Sequence, residues 1–346
     1  MRRNIKDEGP SLSDEGPSGA AALPRRLERY SKAKAQALHV QAYLKGVLDF
    51  NQREKTVLSR FEGCASYLLF HHYLEHDKVQ LHAANFCKAH LLCPFCAIRR
   101  GAVALREYLS RWEQLKASNG RLRPFLVTLT VKDGPDLFER FTHLQRAFQV
   151  LTKRRSGKGS GSSVWCKALG GVASYEVKRG ENSKLWHPHL HCIALADCDN
   201  PISQAKLANE WFEITGDSFI VDVRPIAEDE LELVGGFAEV FKYAVKFSSM
   251  EPADTLECWR LLRRRRLVQS FGLFYGVEIP EDLTDEKLDG PFIEYLYRFC
   301  FAKKRYQLER SLTVAGSPVI PDYEPMTLRT RDFIQESRRR KEKLSC

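Results

Sequence analysis

The chain has 346 residues, with 54 Lys and Arg against 44 Asp and Glu, a formal net charge of +10. That length is ample for a buried core and accommodates two domains or one domain with large extensions. The cationic surplus favours a polyanionic partner, with nucleic acid first, over an ordinary basic soluble protein.

Residues 1–24 are polar and rich in Gly, Pro, Ser and acidic residues, and read as a disordered tail with no signal-like apolar run. No stretch is long enough to span a bilayer, so a membrane is not an expected partner. The ten cysteines then belong to a reducing cytoplasm, where metal ligation is a better use for them than disulfides.

From Arg25 to Glu54 the composition suits helix, and residues 61–76 continue in a helix-like way. Within Asn85-Phe-Cys-Lys-Ala-His-Leu-Leu-Cys-Pro-Phe-Cys96, Cys87 precedes Cys93, and Cys93-Pro-Phe-Cys96 is a tight knuckle. Three thiolates call for a fourth ligand if they hold structural zinc, and Cys64, His82 and His90 are the candidates. A helix follows over roughly 97–117. Residues 124–131 alternate as a strand, and a helix is expected near 136–152. Residues 153–163 form a basic, Gly- and Ser-rich loop.

Residues 169–178 and 187–195 read as two strands of a hairpin. In the second, the period of two puts His189 and His191 on one face. With the turn centred near Asn182–Ser183, Glu176 falls opposite His189 on that face. Two imidazoles and one carboxylate make a mixed nitrogen and oxygen site, suited to Mg²⁺ or Mn²⁺ acting on a phosphate. A helix near 201–215 and a strand near 218–224 come next. A helix over 228–248, interrupted by Gly235-Gly236, places Glu239, Tyr243 and Lys246 on one face with Lys242 beside them. A phenol near cations is a better nucleophile, and a carboxylate one turn away can act on water. Beyond lie Arg263 to Arg266 and the aromatic tract Phe271-Gly-Leu-Phe-Tyr275. Cys166, Cys192, Cys198, Cys258, Cys300 and Cys346 have no ligand-like spacing and read as core or incidental.

Three motifs in order resemble the rolling-circle replication initiators of small bacterial plasmids, endonucleases of the HUH superfamily. They are Phe125-Leu-Val-Thr-Leu-Thr-Val131, His187-Pro-His-Leu-His191 and Glu239-Val-Phe-Lys-Tyr-Ala-Val-Lys246. The cysteine segment, with Cys64-Ala-Ser-Tyr-Leu68, is similar to that family's, and the resemblance favours Cys64 as the fourth ligand. The resemblance implies that His189, His191 and Glu176 hold Mg²⁺ or Mn²⁺ and that Tyr243 attacks the scissile phosphate. It further implies that Lys246 and Lys242 stabilise charge, and that Glu239 activates water for a terminating hydrolysis. Plasmid origin DNA would be the substrate, with host helicase and DNA polymerase as partners. A relaxase or transposase of the same superfamily, or a non-catalytic zinc-containing DNA-binding regulator, are the alternative readings.

The expected fold is α+β, with a central, mostly antiparallel sheet and helices packed on it. The expected division is a tail at 1–24, a helical cysteine-rich zinc segment at 25–120, a nuclease domain at 121–250 and a basic C-terminal extension at 251–346.

Overall fold

The computed structural model describes residues 19–156, 163–180, 182–242 and 250–314. Chain order begins with helices α1 (Leu23–Leu44) and α2 (Gln52–Glu62), then strands β1 (Tyr67–Tyr73) and β2 (Lys78–Ala84). Helix α3 (Pro94–Ser118), β3 (Leu122–Thr130) and α4 (Leu137–Arg155) follow. Next are β4 (Gly170–Arg179), β5 (Trp186–Asp197), α5 (Gln204–Thr215), β6 (Val221–Pro225) and α6 (Glu230–Phe241). The described chain closes with α7 (Pro252–Leu262), β7 (Val268–Gly272), β8 (Phe292–Cys300) and β9 (Arg305–Val314).

The strands form two antiparallel sheets flanked by helices, ordered β6-β3-β5-β4-β7 and β2-β1-β8-β9. The α+β class and the antiparallel central sheet are as expected; the second sheet is not. Residues 67–73, within the stretch read as helix-like, are a strand. Tyr67-Leu-Leu-Phe-His-His-Tyr73 is aromatic and buried at nearly every position, so a run covered on both faces shows no alternation. Its partner β8 lies more than 200 residues further on, with Tyr67 opposite Arg298 and Tyr73 opposite Phe292. The chain after residue 250 is therefore no appendage: β7 completes the first sheet and β8 and β9 complete the second. Likewise the N-terminal part is not purely helical, since it supplies β1 and β2. Helix begins at Leu23, inside the expected tail, and α4 runs to Arg155, inside the expected loop.

Local signals account for the helix starts. Asn51 caps α2 in a reciprocal capping box with Glu54, and the Asp136 and Ser203 side chains cap α4 and α5. Pro94 opens α3 directly after Cys93. Helix α6 runs unbroken through Gly235 and Gly236, where Gly236 lets Ile226 approach closely.

The two faces of the five-stranded sheet are covered differently. On one, the Tyr175 ring packs against Phe141 and Phe148 of α4. On the other, Tyr108 of α3 bonds the Ser270 side chain, and Phe241 at the end of α6 stacks on Tyr108 with centroids 5.1 Å apart. Ser270 pairs with Val172, so this second face is the one that also carries Ser174 and Glu176.

A buried ionic knot ties the second sheet to the helices. Asp285 accepts from Arg26 at 2.5 Å and from Arg99 at 2.6 Å, and also from the Leu81 amide at 2.6 Å. Both arginines donate to the Tyr30 hydroxyl at 3.1 Å. Burial alone would raise the Asp285 carboxyl, but the two guanidiniums bring it down to about 2. Among the described residues no helix is long and apolar enough to cross a membrane.

Candidate functional site

The β4–β5 hairpin has the register expected from its sequence. Glu176 pairs with His189 and Ser174 with His191, which centres the turn between residues 182 and 183. Alternation then points Glu176, His189 and His191 to one face. One carboxylate oxygen of Glu176 lies 2.9 Å from His189 Nε2 and 3.4 Å from His191 Nε2. The Glu176 side chain is fully buried and the imidazoles are 8% and 12% exposed, so water competes little for this point.

Burial pushes the Glu176 carboxyl up, but hydrogen bonds and charge from both histidines override it and hold it well below the usual carboxylate range. The group is an anion facing two Nε2 atoms, a donor set matched to a divalent cation with open positions. All three ligand atoms lie within 4.8 Å of one another. Neighbouring strands fix the rings. The Thr128 hydroxyl sits 3.0 Å from His191 Nδ1, so a cation at Nε2 would leave Nδ1–H to donate to it. The backbone carbonyl of His187 lies 3.4 Å from His189 Nδ1. Ser174, fully buried on the same face, stands next to His191 across the hairpin.

Sequence reasoning passed over Thr128 and Ser174. Thr128 lies within the first motif, and the strand register alone would have found it, because it pairs directly with His191. The third histidine of the motif does something different. His187 Nδ1 is hydrogen-bonded to Asp133, and its ring lies 5.6 Å from that of His189, at the rim of the site.

Helix α6 presents the other half of the sequence-predicted constellation. Glu239 and Lys242 are paired at 3.0 Å and both are part-exposed. Tyr243 and Lys246 lie outside the described residues. The last described turn of α6 sits on the imidazole-bearing face, because Phe241 stacks on Tyr108 there.

The four expected cysteines form a separate cluster. Cys64 follows α2, Cys87 lies beyond β2, Cys93 caps α3 and Cys96 sits in its first turn. Cys64 Sγ is 3.5 Å from both Cys93 and Cys96, and Cys87 Sγ is 3.6 Å from Cys96. Tetrahedral zinc with ~2.3 Å bonds needs sulfurs roughly 3.8 Å apart, and a disulfide needs ~2 Å, so the spacing fits zinc and excludes a bridge. Left-handed backbone at Ala65 and Lys88 makes the turns that aim Cys64 and Cys87 inward. Hydrogen bonds from the other three thiols lower Cys64 well below its ordinary value, while burial pushes Cys93 and Cys96 well above theirs. The N-terminus of α3 favours thiolate charge at Cys93 and Cys96. His82 and His90, the other candidates for the fourth ligand, stand outside the cluster.

The fold and these sites define a class: an α+β protein with two candidate metal centres, one built of thiols and one of imidazoles and a carboxylate. The family described as Replication protein (Rep_1) matches residues 78–294, more than half of the chain, and the chain belongs to that family. It is 27% identical over 234 residues to "Protein rep" of Streptococcus pneumoniae serotype 2 (strain D39 / NCTC 7466), covering 64% of this chain and 70% of the relative. No solved structure matches the chain.

Proposed function

We propose that the protein is a site-specific DNA nickase and strand transferase that initiates and terminates rolling-circle replication at a plasmid origin. A Mg²⁺ or Mn²⁺ ion held by His189, His191 and Glu176 would polarise the scissile phosphate. Tyr243 supplies the nucleophile: its phenolic oxygen bonds to phosphorus as the phosphorus–O3′ bond breaks. The product is a 5′-phosphotyrosyl link and a free 3′-hydroxyl for a host polymerase to extend, with a host helicase opening the duplex ahead. Lys242 and Lys246 favour the phenolate and the crowded phosphate charge. Glu239 takes the proton from water in the closing hydrolysis. The Cys64, Cys87, Cys93 and Cys96 cluster holds structural zinc.

One observation carries this reading. The Glu176 carboxylate and the Nε2 atoms of His189 and His191 converge on one buried point, on the same face of the sheet that the end of α6 covers through Phe241 and Tyr108. The Replication protein family agrees with it.

Incubation of the protein with an origin-bearing single-stranded oligonucleotide and Mn²⁺ tests the chemistry. A denaturation-resistant protein–DNA species is expected, and Tyr243→Phe should abolish it while sparing duplex binding. An undiminished adduct in that variant refutes the assigned nucleophile. Glu239→Gln should nick normally but fail to release monomeric circles.

A further inference from the structure

The arginine run 263–266 divides its labour. Arg263 donates to Glu54 at 3.1 Å and lies over Trp259, while Arg265 donates to Gln145 at 2.8 Å and lies over Phe138. Arg266 is exposed and, among the described residues, pairs with no carboxylate; its Nε donates to the Val268 carbonyl at 3.2 Å. It also acts on Tyr108, which places its charge on the imidazole-bearing side of the sheet. The Tyr175 amide donates to the Leu267 carbonyl at 2.9 Å, so the β4–β7 register continues past Val268 and position 266 stands level with Glu176. A spacing of ~4.8 Å per strand puts the free edge of β7 about 5 Å from Glu176's strand and about 10 Å from that of the imidazoles.

Along this edge runs a cleft of about 160 Å³ between α3 and the end of α7, lined by His90, Arg100, Ala104, Arg263, Arg265 and Val268 among others. No acidic side chain lines it. Arg100 is fixed by donation to the Pro280 carbonyl at 2.7 Å, and burial together with Arg100 lowers the basicity of His90.

We infer that the Arg100–Arg263 cleft, together with Arg266, which donates to the carbonyl of the lining residue Val268, is a phosphate-binding site that grips the single DNA strand beside the scissile phosphate and leads it off the β7 edge. The inference rests on the proposed nicking reaction for its substrate, but not for its binding geometry.

The test uses full-length protein, a fluorescent origin oligonucleotide and equilibrium anisotropy without added metal, with nicking in Mn²⁺ measured separately. Arg266→Ala should weaken binding about tenfold and flatten the slope of log affinity against log salt by about 0.7, one single-strand phosphate contact. Arg266→Lys should recover part of the affinity, and Arg264→Ala, exposed and off the cleft, should bind as wild type. A methylphosphonate placed at successive positions should weaken wild type at one flanking phosphate and leave Arg266→Ala no weaker there. Arg100→Gln should resemble Arg266→Ala, and should it fail to fold, the surface variant alone decides. Equal binding by Arg266→Ala and wild type overturns the inference. So does inorganic phosphate occupying the cleft while oligonucleotide affinity is untouched. Retained Arg266-dependent binding with no nicking by wild type would instead strike the reaction and leave the cleft standing.

Discussion

Replacing Glu176 by Gln tests the imidazole–carboxylate centre most directly. The substitution keeps the shape of a fully buried side chain and removes only its charge. In the native protein that charge is shared by His189 at 2.9 Å and His191 at 3.4 Å. A hydrogen bond to a charged group contributes about 1.5–3 kcal/mol, and the same anion is the single negative ligand offered to the cation. Losing about 3 kcal/mol of ligand energy corresponds to roughly 100-fold in affinity. Mn²⁺ binding by Glu176→Gln, followed by electron paramagnetic resonance or calorimetry, should therefore weaken by at least about two powers of ten. The Ser174→Ala variant beside it should change affinity far less, since a hydroxyl is a weak ligand. Unaltered Mn²⁺ affinity in Glu176→Gln would show that the cation, if bound at all, sits elsewhere.

Further outcomes follow from the rest of the fold. Cys64→Ser should abolish tight zinc binding and cost several kcal/mol of stability, a share of the ~10–16 kcal/mol typical of structural zinc; metal release on thiol modification and chemical denaturation measure both. Asp285 has a carboxyl depressed to about 2 from 3.8, so its stabilisation is complete above pH ~4 and disappears as pH falls toward 2. That shift corresponds to about 2–3 kcal/mol, and acid titration of unfolding should show a limb there that Asp285→Asn lacks. Gly272 has φ +57°, and a β-carbon there would meet the Leu169 carbonyl. Gly272→Ala should destabilise the protein by more than the ~1 kcal/mol of backbone strain alone and loosen β7, detectable as faster amide exchange in Gly170–Ser174.

How much of this was legible in the chain depends on how local each signal is. The Glu176–His189 register followed from one turn position and the period of two, and it holds in the structure. The cysteine cluster was legible as three thiols in a short span, but Cys64 needed the family resemblance, because nothing in a spacing of 23 residues to Cys87 identifies a ligand. Residues 67–73 were misread because a strand buried on both faces carries no alternation, and its partner is too distant in sequence to indicate pairing. The knot of Arg26, Arg99, Tyr30 and Asp285 was invisible for the same reason: its members span residues 26 to 285. Tyr243 and Lys246 lie outside the described residues.

The pairing of β1 with β8 sets a timetable for synthesis. Until the ribosome has passed residue 300, the strand beside the thiol cluster has an open hydrogen-bonding edge, and Asp285 has yet to neutralise two buried guanidiniums. A prematurely terminated product would carry the imidazoles, the carboxylate and the thiols, yet expose a sticky aromatic ribbon to proteases and to other nascent chains. Quality control would thus remove incomplete copies on the strength of a sheet other than the one that bears the imidazoles.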